Sequence, residues 1–253
     1  METKNQKQVK KSKRGGVSSG ILIFGCAVVA FIFFFGYCGH EKFFDAKGHP
    51  LDGNIFGTLY MGGFVIPVVM TLLLSVLALS VERAFALNRA KGKNNLMKFV
   101  DGVKVKIEAE DLQGARKMCD AQKGSVANIL LSAMLRYEDI EKTELSNDEK
   151  AGLVQKEIEE ATTLELPVME QNMPIIAAIS TLGTLMGLFG TVLGMIKSFG
   201  AMGQEGAPDS TKLAVGISEA LLNTALGIGT GALAIIAYTY FSGKIQKIGR
   251  AHV

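Results

Sequence analysis

The chain has 253 residues, of which 48% are apolar and 20% are charged, and its mean hydropathy is +0.27. That hydropathy excludes an ordinary water-soluble domain unless charged and apolar residues are separated along the chain. The net charge of +3 gives no indication of a nucleic-acid partner.

Four apolar stretches reach the roughly 20 residues that an α-helix needs to cross a bilayer. Residues 15–39, 53–81 and 171–196 contain no charged residue, and between Lys212 and Lys244 the only one is Glu219. We predict an all-α membrane protein with transmembrane helices at 15–39, 63–82, 171–199 and 213–243. The other segments are a basic tail at 1–14, a connection at 40–62, a helical domain at 83–170, a connection at 200–212 and a tail at 244–253.

The positions of the basic residues predict which side of the membrane each segment faces. Lys and Arg are frequent before the first helix and directly after the second, whereas the connections at 40–62 and 200–212 carry only Lys42, Lys47 and Lys212. Cytoplasmic segments are enriched in basic residues. Both termini and the domain at 83–170 are therefore expected in the cytoplasm, and the two connections in the periplasm.

The first apolar stretch has two alternative interpretations. A basic tail before an apolar run is also the pattern of a signal peptide, and Ile-Phe-Gly-Cys26 resembles a lipoprotein cleavage site. The run is long, however, and no small-x-small cleavage site follows it. A retained transmembrane helix is therefore the favoured interpretation.

No residue pattern indicates a metal, a cofactor or a catalytic centre. The cysteines form no disulfide framework, and the histidines are isolated residues near loops. These residues are Cys26, Cys38, Cys119, His40, His49 and His252. The chain contains no phosphate-binding glycine loop and no nucleophile elbow, so the sequence does not favour an enzyme.

The middle segment, residues 82–170, has the helical periodicity of a water-soluble block. EAEDLQGARKMCDAQ and SVANILLSAMLRYEDI are predicted to be helices separated at Gly124 and Ser125. Ser146 followed by Glu149 is the pattern of a capping box that starts a third helix. That helix is expected to run into the third transmembrane helix, with kinks at Pro167 and Pro174.

The third and fourth apolar stretches are rich in Gly, Ala, Ser and Thr, which allow helices to approach closely within a membrane. At 100° per residue, one face of the third helix carries polar side chains, and so does one face of the fourth. The third helix presents Ser180, Thr184, Thr191 and Ser198; the fourth presents Glu219, Asn223 and Thr230. Thr224 is predicted to lie further round, on the face of Ala220, Gly227 and Gly231.

Counting inward from Lys197 and Lys212 gives each polar residue an approximate depth. At 1.5 Å per residue, Thr191 and Glu219 lie about 10 Å deep, Thr184 with Asn223 and Thr224 about 17–20 Å, and Ser180 with Thr230 about 26 Å. Three matched polar levels are what a hydrated proton or ion path requires. The alternative is that each Ser or Thr bonds only to its own backbone.

At this point the sequence resembles a known family. GLFGTVLGMIKSF (187–199) followed by GISEALLNTALG (216–227) resembles the ExbB/TolQ/MotA family of proton-channel motor subunits. The glutamate at Glu219 is typical of the ExbB and TolQ branches. IPVVMTLLLSVLALSVERAFAL and EDLQGARKMCD also resemble ExbB, and the resemblance extends over roughly residues 60–248.

The resemblance implies an assembly rather than an enzyme. It implies a homopentamer in the bacterial inner membrane around two copies of a single-span partner of the ExbD/TolR type, whose helix carries an Asp. Proton entry would move the partner, and a TonB-like or Tol-type protein would carry that movement to the outer membrane. By the match of motifs, Thr191, Glu219 and Thr224 correspond to pore-lining residues.

Three departures from the family pattern concern the same helices. Gly183–Thr184 stands where Ala-Pro is usual, Leu233–Ala234 where Pro-Ala is common, and Asn223 where a small residue is common. The first helix, at 15–39, has no counterpart in three-span ExbB and is expected at the periphery, among membrane lipids.

Two classes of function remain open. The first is a proton-driven motor subunit of ExbB type or, as a variant, of TolQ type or another stator. The second is a passive membrane scaffold, in which Glu219 would only pair with a Lys or Arg of a neighbour.

Overall fold

A computed structural model describes residues 18–44, 54–202 and 210–249 of the chain, and no β-strand occurs among them. The predicted tail at 1–14, His49, His252, Lys47 and most of the connection at 200–212 lie outside the described residues. The elements are α1 (Ser19–Ile32), a π-helical turn (Phe33–Cys38), a 3-10 turn (Glu41–Phe43), α2 (Ile55–Met61), α3 (Val65–Lys91), α4 (Leu96–Glu108), α5 (Leu112–Gln122), α6 (Ser125–Glu141), α7 (Asn147–Glu170), α8 (Met173–Met202) and α9 (Ser210–Gly249).

Four helical segments among the described residues are long and apolar enough to cross a membrane, which confirms the predicted all-helical membrane class. They are Ser19–Cys38 and segments that contain α3, α8 and α9. The second predicted transmembrane helix is α3, and it continues without a break past its predicted end at residue 82 to Lys91. The first span packs against α3, and α3 in turn packs against both α8 and α9.

In the helical block, α4 to α7, three of the four helices begin with side-chain caps: α4, α5 and α7. Asn95 accepts a hydrogen bond from the backbone N–H of Met97, and Asp111 accepts one from Gly114. Ser146 and Glu149 form the predicted capping box at the start of α7. Lys106 and the Gly114 N–H hold the pKa of the Asp111 carboxyl below its usual value. Such caps satisfy N–H groups that have no partner within the helix.

One hydrophobic core joins the helical block to the membrane helices. Its buried members include Val126 and Cys119 from the block, Ile176 from α8, and Phe241 and Ile245 from α9. Burial raises the pKa of the Cys119 thiol to about 11, so this side chain is a neutral, apolar core residue at neutral pH. The core is therefore continuous from the helical block to α9.

The long helix predicted to enter the third span is interrupted between Pro167 and Pro174. The helix is interrupted by a turn at residues 171–172, where Asn172 is buried and has a φ of +66°. The Asn172 side chain donates to Glu82 at 3.1 Å, and Arg83 donates to the Met169 carbonyl at 3.3 Å. These two bonds join Glu82 and Arg83 of α3 to the junction between α7 and α8 and hold it in place.

Replacing Asn172 with alanine is expected to destabilise the protein by about 2 kcal/mol, because alanine disfavours a positive φ and cannot donate to Glu82. Asn172→Gly is the matched control, since glycine keeps the backbone conformation and loses only the hydrogen bond. Thermal unfolding in detergent should therefore rank the wild type above Asn172→Gly and Asn172→Gly above Asn172→Ala. Equal stability of the two variants would contradict the role of the backbone conformation.

Candidate functional site

The closest contact between membrane helices is the one between α8 and α9, which run antiparallel. Glycines on both helices remove the side chains that would otherwise separate the backbones. A Cβ added at Gly227 would lie 2.5 Å from the Cα of Gly187 and 2.6 Å from the carbonyl oxygen of Gly183. One added at Gly194 would lie 2.7 Å from the Cβ of Ala220. The small residues of the two helices therefore set their separation, as the sequence predicted.

Four oxygen atoms converge near the middle of this contact. The Thr191 and Thr224 hydroxyls are hydrogen bonded to each other. Each also approaches the Gly187 carbonyl at 3.2 Å, and Thr191 approaches the Ala220 carbonyl at the same distance. Threonine hydroxyls both donate and accept hydrogen bonds, so this cluster connects the two helices by hydrogen bonds.

The predicted pairing of residues at equal depth on α8 and α9 is wrong by about one helical turn. Thr191 contacts Thr224 and the Ala220 carbonyl, whereas the prediction placed it level with Glu219 and placed Thr184 level with Thr224. Thr184 instead approaches Gly231, where an added Cβ would lie 2.6 Å from the Thr184 hydroxyl. The depths were counted from Lys197 and Lys212 as if both stood at one level, but Gly216 lies beside Ser198.

Three of the predicted path residues bond to their own helix. Ser180 donates to the Ala177 carbonyl at 2.7 Å, Thr184 to the Ser180 carbonyl at 3.2 Å, and Thr230 to the Leu226 carbonyl at 2.8 Å. This is the backbone bonding that was the alternative to a path. These hydroxyls lie toward the block end of the spans, away from the Thr191–Thr224 cluster.

Glu219 lies just beyond the threonine cluster on α9, toward the end of the spans away from the block, whereas Asn223 lies at the level of the cluster, between Ala220 and Thr224. Glu219 is half-buried, and Asn223 is 2% exposed. Thr224 lies on the face of Ala220, Gly227 and Gly231 that packs on α8, as predicted. At this end of the described α8–α9 pair Lys197 is exposed, and α9 also contains Lys212 in its first turn.

One residue of the site, Gly62, which lies in the turn between α2 and α3, was not identified from the sequence. Its carbonyl accepts a hydrogen bond from the Asn223 side-chain nitrogen at 3.2 Å. On its other side Asn223 packs against Gly190 of α8. The only advance sign was the Gly62–Gly63 pair, which indicates a turn but does not show what the turn contacts.

Comparison with known proteins identifies the family of the chain. The sequence profile described as the MotA/TolQ/ExbB proton channel family matches residues 124–251, which contain both α8 and α9. The chain is 30% identical over 170 residues to the putative biopolymer transport protein ExbB-like 3 of a Synechocystis species, covering 66% of this chain and 75% of that protein.

Relatives of two kinds occur. The Tol-Pal system protein TolQ of Pseudomonas aeruginosa is 35% identical over 91 residues, which cover 36% of this chain and 39% of TolQ. The biopolymer transport protein ExbB of Aquifex aeolicus is 28% identical over 112 residues, covering 44% of this chain and 68% of that protein. The chain thus spans about two fifths of TolQ and a larger part of the ExbB relatives named here. From its membrane helices, its paired motifs and these matches, the chain belongs to the MotA/TolQ/ExbB proton channel family.

Proposed function

We propose that this chain is an ExbB-type subunit of an inner-membrane motor driven by the proton-motive force. Together with a single-span partner of the ExbD type, it conducts protons and energises TonB-dependent transport across the outer membrane. Neither a cofactor nor an enzymatic reaction forms part of this proposal.

The observation that carries the proposal is the position of Glu219. It is the only charged residue of α9 between Leu213 and Gly243, and it precedes Thr224, which is bonded to Thr191, by five residues. An ionisable side chain within a membrane is costly and usually functional. A carboxylate and hydroxyls that can donate and accept, close together along one membrane helix, are the groups from which a proton path can be built.

The proposed assembly is a homopentamer that encloses two copies of the partner helix. Large apolar side chains on α8 and α9 are exposed, among them Leu188, Val192, Ile228 and Ile235. Lipid or neighbouring subunits can cover these faces. A face with Glu219 and threonines is favourable only toward protein or a hydrated lumen, because lipid offers no hydrogen bonds. In this proposal both termini and the helical block face the cytoplasm, and the distribution of the basic residues supports that orientation.

A TolQ-type role in envelope maintenance is the second candidate. It is favoured by the relatives named TolQ from Pseudomonas aeruginosa and Haemophilus influenzae, which are 35% and 34% identical over their matched regions. Both roles use the same proton path, so the partner decides the task.

The test is reconstitution with a single-span protein whose membrane helix carries an Asp, to be sought in the reading frames that neighbour the gene for this chain. Co-purified complex in liposomes should conduct protons when a membrane potential is imposed, and the chain alone should not. Complementation of bacteria that lack their own ExbB or TolQ, with the partner supplied, then separates the two roles. A complex that assembles but conducts no protons would support a passive scaffold instead.

A further inference from the structure

Asn223 is a buried membrane amide with an incomplete set of hydrogen bonds. Its side-chain oxygen, Oδ1, has no hydrogen-bond partner among the described residues. Its nitrogen donates to the Gly62 carbonyl, which can only accept, so the nitrogen and not the oxygen must face Gly62. The orientation of the amide is therefore determined, and the oxygen is left without a donor among the described residues. A buried acceptor without a donor is unfavourable, and more so where lipid replaces water.

The structure makes room for this side chain. A Cβ added at Gly190 would lie 2.8 Å from the Cβ of Asn223, and one added at Gly62 would lie 3.0 Å from its Oδ1. Two glycines on different elements thus enclose the amide. Because the amide cannot turn in so tight a space, Oδ1 can be satisfied only by a donor group that lies within hydrogen-bond distance of it.

Glu219 precedes Asn223 by four residues on α9. Residues at this spacing lie on one face of a helix with their Cβ atoms about 6 Å apart. The elements packed on this part of α9 bring few ionisable groups: α2 and α3 carry no charged residue from Asn54 to Val81, with Tyr60 as the titratable one, and α8 carries the exposed Lys197. Glu219 is therefore the acid that can present a proton to Asn223.

We propose that Oδ1 of Asn223 accepts a hydrogen bond from the neutral carboxyl of Glu219, while the Asn223 nitrogen anchors that amide to the Gly62 turn. This inference rests on the proposed function, in which Glu219 takes up and releases a proton. When the carboxylate binds a proton, its O–H donates to Oδ1; when the proton leaves along the path, that donor is lost. Asn223 is thus a positioning residue, and it ties the protonated carboxyl to the turn that leads to the N-terminal span.

Infrared difference spectroscopy on the complex with its partner in lipid tests the inference. The carbonyl band of the neutral Glu219 carboxyl is identified by its loss in Glu219→Gln. This band should move in Asn223→Leu, whose side chain has the same branching and number of heavy atoms but no hydrogen-bonding groups. It should also move in Asn223→Ala, which removes the amide without adding bulk and favours the helix. Proton flux should fall by up to about tenfold, the factor that corresponds to one ordinary hydrogen bond.

Thr230→Val is the matched control. It also removes a buried polar group from α9, but the Thr230 hydroxyl bonds only to its own helix, at Leu226. The band should stay in place in this variant. If the band stays in place in both folded Asn223 variants as well, the inference is overturned.

A bound water is the other possible donor to Oδ1. In that case the Asn223 variants would leave the carboxyl band unchanged and would remove a water O–H band that shifts in water enriched in oxygen-18, and this result also overturns the inference. Failure of the proposed function is a separate result: it would appear as full proton flux in Glu219→Gln, whatever the Asn223 variants do.

Discussion

Replacing Glu219 with glutamine is expected to reduce proton flux through the assembled complex by at least about 100-fold, the scale at which a positioned proton-transfer group contributes. Glutamine keeps the size of the side chain and most of its hydrogen bonding, but it cannot bind and release a proton. Proteoliposomes with a pH-sensitive dye and an imposed potential measure the flux. The same preparation shows whether the partner still co-purifies.

Two variants make the Glu219 result specific. Glu219→Asp keeps a carboxylate and should retain part of the flux. Glu160→Gln makes the same chemical change on the exposed face of α7 and should leave the flux unchanged. Full flux in Glu219→Gln would remove Glu219 from the proton path and would favour a passive scaffold.

Replacing Gly227 with alanine is expected to destabilise the protein by about 2 kcal/mol, a typical cost of overpacking a close contact. The new methyl group would meet the Gly187 Cα at 2.5 Å and the Gly183 carbonyl oxygen at 2.6 Å. Both are backbone atoms and cannot rotate away, so α8 and α9 must separate. Thermal unfolding in detergent measures the loss, and the proton flux should fall with it because Thr191 and Thr224 move apart.

Gly229 offers the matched control two residues along the same helix. A Cβ added there would have no atom within 4 Å. Gly229→Ala should therefore be neutral or more stable by up to about 1 kcal/mol, because alanine favours the helix over glycine. If the two alanine variants unfolded at the same temperature, the close glycine contact would not be what holds the helix pair together.

Features that depend on a single stretch of chain could be predicted from the sequence. A helix that crosses a bilayer needs length and apolar side chains, and both can be counted, so the four spans were found. The capping box of Ser146 and Glu149 is a local pattern within four residues and was also found. The small residues of the third and fourth spans identified the helices that pack most closely.

Features that depend on how two distant segments meet could not be predicted in the same way. The level at which Thr191 faces α9 depends on where Gly183, Gly187 and Gly227 allow the backbones to touch, and end charges do not determine that level. The break at Asn172 lies between two prolines, but its place is stabilised by Glu82, far away in the chain.

The sequence by itself determined the class of protein, its spans and the lone carboxylate Glu219, because these follow from composition and local spacing. Only the tertiary structure decided that Thr191 meets Thr224 and that Asn223 reaches Gly62, 161 positions away along the chain. The physical reason is that hydrogen bonds and close contacts act over a few ångströms, so the residues they join are selected by the packing of helices and not by their order in the chain.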